Sequence, residues 1–231
     1  MSGKRYLNAL KQVEADKDYA LAEAIGLAKT LATAKFNETI EMHMRLNIDP
    51  RQSDQQVRST VLLPNGLGKT VRVLVFVDAA DDQRKAEAAG ADVIADDQVI
   101  ARIQNENWLD FDAALAVPSM MAKVGRVAKI LGPRGLMPNP KAGSVVPPDD
   151  LERAIRELKA GRVEFRNDKT GNLHVPVGKA GFTAEQLTEN AQALFDAIVR
   201  QRPSSVKGAF IRRMVVTSTM GPGIKVDSGG L

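Results

Sequence analysis

From Phe36 to Ile48 apolar and polar positions alternate. Ile40, Met42, Met44, Leu46 and Ile48 fall on one side, and Thr39, Glu41, His43, Arg45 and Asn47 on the other. A period of two over that length predicts a strand with one wet face, as in an antiparallel sheet. Asp49-Pro50 ends it. A second strand is predicted from Gln56 to Leu63, stopped by Pro64-Asn65-Gly66. Ahead of both, Ala20 to Lys35 is rich in Ala, Leu and Glu and reads as a helix.

After Gly66-Leu67-Gly68 the period changes. Val71 to Val77 is almost continuously apolar, which suits a strand buried on both faces. Helices are predicted at Asp81–Ala89, Asp96–Gln104 and Met120–Leu131, with strands at Ala91–Ala95 and Ala113–Val117. Strands alternating with helices predict a parallel sheet. A loop from Gly132 to Gly143 then carries Pro133, Pro138 and Pro140 with three glycines, and Asp149-Asp150 is predicted to cap a helix at Leu151–Lys159. Beyond Ala160-Gly161 the antiparallel signal returns. Strands at Arg162–Arg166 and Asn172–Val177 flank Asn167–Gly171, a hairpin loop by composition. Thr183–Arg200 has apolar residues at helical spacing, and Phe210–Thr219 reads as a last strand.

The pattern therefore predicts a β-rich domain from residues 1–67 and 160–231, interrupted by an α/β domain at 68–159. Crossings near 66–69 and 159–161 would act as hinges, with Gly66, Gly68 and Gly161 free to absorb backbone rotation. Charge follows the same division: residues 1–67 carry 9 bases and 8 acids, 68–159 carry 13 and 14, and 160–231 carry 10 and 6. Residues 113–148 hold Lys123, Arg126, Lys129, Arg134 and Lys141 with no acid. A basic surface fits either a solvated face or a phosphate-rich partner. With 44% hydrophobic and 26% charged residues the chain is ordinary for a globular protein. No apolar run is long enough to span a bilayer, and no leader-type core follows Met1-Ser2-Gly3-Lys4-Arg5-Tyr6. Cysteine is absent, which removes disulfides and thiolate chemistry. A cytoplasmic location is the expectation.

Little in the chain points to catalysis. Gly66-Leu67-Gly68-Lys69-Thr70 resembles the end of a phosphate-binding loop, but it lacks the first glycine and precedes its strand instead of following it. The turn Val77–Asp82 has no glycine fingerprint and carries three aspartates where a pyrophosphate would sit. His43 and His174 are the only histidines, and neither shows metal-ligand spacing. No cofactor, metal or enzyme activity is expected. A nucleotide-binding α/β enzyme remains one alternative. A DNA-binding regulator is another, although no helix-turn-helix with a basic recognition helix is evident.

Several strings occur in order: Ala34-Lys35-Phe36-Asn37-Glu38-Thr39, Asn47–Arg51, Leu67-Gly68-Lys69, Gly132–Gly143, Phe165–Gly171 and Thr219-Met220-Gly221-Pro222. Together they resemble the ribosomal protein L-one family, the large-subunit stalk proteins, in its bacterial form. The resemblance implies two domains: a split β-α-β sandwich from both termini and an inserted Rossmann-like three-layer α/β domain. It implies binding to the mobile stalk of large-subunit ribosomal RNA, help in releasing deacylated transfer RNA from the exit site, and repression of translation through the protein's own messenger RNA. It requires no membrane and no homo-oligomer. Carried across by motif, the RNA site would comprise Lys35, Phe36 and Thr39, then Asp168, Lys169 and Thr170, then Thr219, Met220 and Gly221. Where the resemblance leads one to expect a small hydroxyl side chain in the last strand, this chain has Arg213. Only 4% of residues are aromatic, which favours recognition of a folded RNA by shape, backbone and ribose over stacking of successive bases.

Overall fold

A computed structural model describes residues 3–227 and 229. Met1 and Ser2 of the segment read for a leader, and Ser228, Gly230 and Leu231 of the tail, lie outside the described residues. The helices are α1 (Lys4–Leu10), α2 (Leu21–Leu31), α3 (Ala80–Ala88), α4 (Asp97–Glu106), α5 (Met121–Val124), α6 (Ala128–Leu131), α7 (Leu151–Ala160) and α8 (Ala184–Arg200). The strands are β1 (Thr39–Leu46), β2 (Arg58–Leu62), β3 (Val73–Phe76), β4 (Val93–Ile94), β5 (Ala113–Ala116), β6 (Arg162–Arg166), β7 (Asn172–Lys179), β8 (Ile211–Ser218) and β9 (Ile224–Val226). The architecture is mixed α and β, and the chain divides into two compact units. One takes the chain up to Gly68 and from Val163 onward, and the other takes Lys69–Arg162.

The terminal unit is built on a four-stranded sheet in the order β7-β1-β8-β9. Its three ladders are antiparallel, with His43 opposite His174 on one side of β1 and opposite Val215 on the other. The alternation of β1 does what its period requires: Ile40, Met42, Met44 and Leu46 are buried, while the residues between them are not. That inner face packs with Val175, Val177, Met214 and Val216 against Ile25 and Ala28 of α2 and Leu187 and Leu194 of α8. Helix α8 begins in a capping box, Thr183 accepting from the Gln186 N–H and Gln186 returning to the Thr183 N–H.

The predicted hairpin at Asn167–Gly171 does not form. β6 pairs with β2 in a separate two-stranded sheet, whereas β7 joins the larger one. The reason lies in the loop. Asn167 donates its N–H to the Val57 carbonyl and accepts from the Val57 N–H, which holds it to the start of β2. Gly171, at φ 80°, turns the chain away, and its carbonyl accepts from Leu46 of β1. The segment is a corner between sheets.

The inserted unit holds a three-stranded parallel sheet in the order β4-β3-β5. All four residues of β3 are buried, as its unbroken apolar sequence requires. Two local expectations are corrected. Met120–Leu131 is not one helix, because 3-10 geometry at Gly125–Val127 separates α5 from α6. Asp150 makes no side-chain cap for α7; it lies in a 3-10 turn and ion-pairs with Arg153 at 3.0 Å. The Gly132–Gly143 loop is held by its own bonds. Gly135 and Gly143 take positive φ, and Asn139 accepts from the Lys141 N–H while its own N–H meets the Ser144 hydroxyl.

Candidate RNA interface

The expected site residues fall into two groups within the terminal unit. The first assembles where β1 begins and β8 ends. Its organiser is Glu38, a residue the sequence did not single out. Only 1% exposed, its carboxylate accepts from the Ala34 N–H at 2.8 Å, the Ser218 hydroxyl at 2.8 Å and the Met220 N–H at 2.9 Å. Burial pushes its pKa up, but these donors and the nearby Arg5 charge outweigh it, and the net displacement is downward. One buried charge thereby ties the 34–36 turn to the 218–221 turn.

Around that clamp stand the expected residues. Phe36 and Met220 are 55% and 51% exposed, unusual for large apolar side chains. Lys35 is exposed and has no ion pair among the described residues. Thr219 already has partners: its hydroxyl accepts from the Thr39 N–H at 2.9 Å and donates to the Thr39 carbonyl at 3.3 Å, leaving one lone pair. The Thr39 hydroxyl accepts from Lys179 at 2.8 Å, which leaves its proton to donate outward. Lys179, the second residue missed, could have been found only from its register opposite Thr39. At Gly221 an added Cβ would come within 2.5 Å of the Ser218 oxygen. Glycine there protects the bond from Ser218 to Glu38 as well as leaving the outer surface open.

The second group is the corner loop. Asp168 accepts from the Thr170 N–H and hydroxyl and from the Asn172 N–H, each at 2.8 Å. Desolvation works against ionisation there, and those donors overcome it, so its carboxyl is held far below the ordinary range. The acid thus shapes the loop, and the Thr170 hydroxyl is committed to it. Lys169 projects into solvent with no ion pair among the described residues.

The two groups are not in contact. They lie at opposite ends of β1, about 23 Å apart at roughly 3.3 Å per strand residue. Between them runs the open face of the sheet, presenting Glu41, His43 and Arg45 of β1 beside His174 and Asn172 of β7. Arg213 of β8 lies on this face opposite Arg45.

Each glycine expected at the hinges has defined local surroundings. Gly66 accepts from the buried Asn190, Gly68 (φ 67°) packs against the Phe182 ring, and Gly161 (φ 109°) closes α7 in the left-handed region. Among the described residues no helix is long and apolar enough to cross a membrane, and no group of three or more His, Asp or Glu could hold a metal.

Comparison with known proteins reaches most of the chain. Residues 27–222 match the model of the ribosomal protein L1p/L10e family. The chain is 56% identical over 225 residues to the large ribosomal subunit protein uL1 of Chloroflexus aggregans, covering 97% of this chain and 94% of that one. It is 54% identical over 228 residues to the protein of the same name from Thermosipho africanus, covering 99% and 97%. The counterpart from Solibacter usitatus is 53% identical over 226 residues, covering 98% and 94%. These relatives are named as ribosomal proteins and not as enzymes.

Proposed function

This chain belongs to the ribosomal protein L1p/L10e family, and on that premise we propose that it binds the mobile stalk of large-subunit ribosomal RNA through its terminal unit. The contact surface is the strip from Phe36 and Met220 to Lys169. The observation that carries this reading is the clamp at Glu38. A buried charge holds two turns side by side, yet the clamp leaves Phe36 and Met220 standing in water. Such an apolar pair, rimmed by Lys35, Lys179 and the hydroxyls of Thr39 and Thr219, is suited to the sugar edge of a folded RNA. A strip about 23 Å long, at roughly 3.3 Å per strand residue, matches an RNA helix or bent loop better than a single base.

In the finer reading the same surface recognises a similar element in the protein's own messenger RNA, so that excess protein represses its translation. On the ribosome the protein assists release of deacylated transfer RNA from the exit site. It works in the cytoplasm as part of the large subunit, with the chain crossings near 66–69 and 159–161 acting as hinges between the units.

Filter binding to a folded stalk RNA, with duplex DNA as competitor, tests the reading. RNA should be retained and DNA should not compete. Thr219→Ala should weaken binding by about 1–3 kcal/mol, since it strips a hydroxyl from the contact and a partner from Thr39. Equal affinity for duplex DNA, or an unaffected Thr219→Ala, would remove this surface from consideration.

A further inference from the structure

The open face between the two groups carries side chains that the reading above leaves without a role. His43 and His174 lie directly opposite on β1 and β7. Their Nδ1 atoms are 2.9 Å apart, and the rings meet edge-on with centroids 4.9 Å apart. On the outer side, His43 Nε2 is 3.6 Å from a Glu41 oxygen and His174 Nε2 is 3.7 Å from an Asp168 oxygen. One step along the same face, Arg45 stands opposite Arg213, and neither has a carboxylate partner among the described residues. Lys225 of β9 lies opposite Val215, which is itself the β8 neighbour of His43. The charged groups facing the pair are therefore Glu41 and Asp168 against Arg45, Arg213 and Lys225.

This arrangement has one defined way to take up charge. In the neutral pair one Nδ1–H donates to the other Nδ1. One added proton goes to the outer nitrogen that lacks one. The shared bond survives, and both outer nitrogens then carry an N–H directed at a carboxylate. A second added proton would set two N–H groups head-on. By this geometry the pair has room for one added proton and not for two. Burial and the charge of His174 hold His43 below the ordinary histidine range, although Glu41 pulls the other way. Burial thus disfavours the charged form at His43, and a polyanion laid over the pair would favour it. The neighbouring arginines give the same sign of preference. Like charges directly across a ladder repel, and an anion between them relieves that repulsion.

Resting on the RNA-binding reading, we propose that His43 and His174, flanked by Arg45 and Arg213, form a proton-dependent contact for a phosphodiester midway along the RNA face. RNA binding by this chain therefore takes up a proton and strengthens as pH falls toward 6.

Filter binding of a folded stalk RNA across a salt series, at pH 7.5 and pH 6.0, tests this on the full chain and on H43Q/H174Q. The chain contains only these two histidines, so the substituted protein has no imidazole, while the terminal amine is common to both. Affinity of the unsubstituted chain should rise about three- to tenfold at pH 6.0, and its salt slope should steepen by up to about 0.9. The substituted chain should show neither change. A pH-independent affinity in the unsubstituted chain, or a pH dependence that survives in H43Q/H174Q, overturns the inference and leaves the RNA-binding reading intact. Failure of the unsubstituted chain to bind stalk RNA at either pH sinks that reading first. Should H43Q/H174Q not fold, a proton NMR titration of the two imidazoles with and without RNA decides. Their midpoint should move up in the complex, and an unmoved midpoint counts against the proposal.

Discussion

At the scale of single residues, the two acids in a basic site have structural work. Glu38 and Asp168 each accept from several donors of their own chain. For Glu38 this has a definite pH signature. Its folded pKa lies below its ordinary value. The stability it contributes is therefore present above about pH 4.3, where the unfolded group is ionised, and is lost as pH falls through the folded pKa. Glu38→Gln should destabilise the protein by about 1–3 kcal/mol at neutral pH, because an amide nitrogen now meets N–H or O–H donors. It should also flatten the acid limb of the stability curve, having no charge to lose. Denaturant melts between about pH 3 and pH 7 check both, and a curve running parallel to the parent's would argue against the clamp. RNA affinity should drop in the same variant, since Phe36 and Met220 lose their common anchor. None of this was visible in the alternation of residues 36–48. Glu38 precedes the strand, and its partners at 218 and 220 are 180 and 182 residues away.

At the scale of elements, the corner between β6 and β7 carries the next expectation. Lys169 projects from a loop fixed by Asp168, Thr170 and Asn172. Lys169→Ala should leave the loop intact and lower the slope of log affinity against log salt by about one unit. An unaltered slope means that no phosphate is contacted there. The same corner marks what the sequence could and could not convey. Alternation located β1 to within a few residues, because one buried face constrains every second side chain. Composition of Asn167–Gly171 announced a turn, but composition is blind to partners. The bonds from Asn167 to Val57, across 110 residues, decide that β6 pairs elsewhere. The unbroken helix expected at Met120–Leu131 failed through a local tightening around Gly125, which apolar spacing alone does not register. Elements α1 and β9 went unseen for a simpler reason. The first buries a single residue, Ala9, and the second is three residues long, so neither leaves a periodic trace.

At the scale of the molecule, charge and architecture divide along one line. The terminal unit, residues 1–68 and 163–231, holds 18 basic and 14 acidic side chains, whereas residues 69–162 hold 14 of each. The whole net charge of +4 thus belongs to the unit that carries the strip. Each unit also has a hydrophobic core of its own, one around the antiparallel sheet and one around the parallel sheet. The basic run of residues 113–148 is balanced inside the inserted unit by acids such as Asp78 and Asp97, both paired with Lys123. Long-range attraction for RNA should therefore come from the terminal unit alone. A chain joining residues 1–68 to 163–231 through a short glycine-rich linker should fold and keep most of the affinity and nearly all of the salt slope. Residues 69–162 alone should bind stalk RNA weakly, with a shallow salt dependence. The converse result, tight binding by the inserted unit and none by the joined ends, would move the interface to the Gly132–Gly143 loop, whose Arg134 and Lys141 are exposed and whose left-handed glycines hold it in a defined shape.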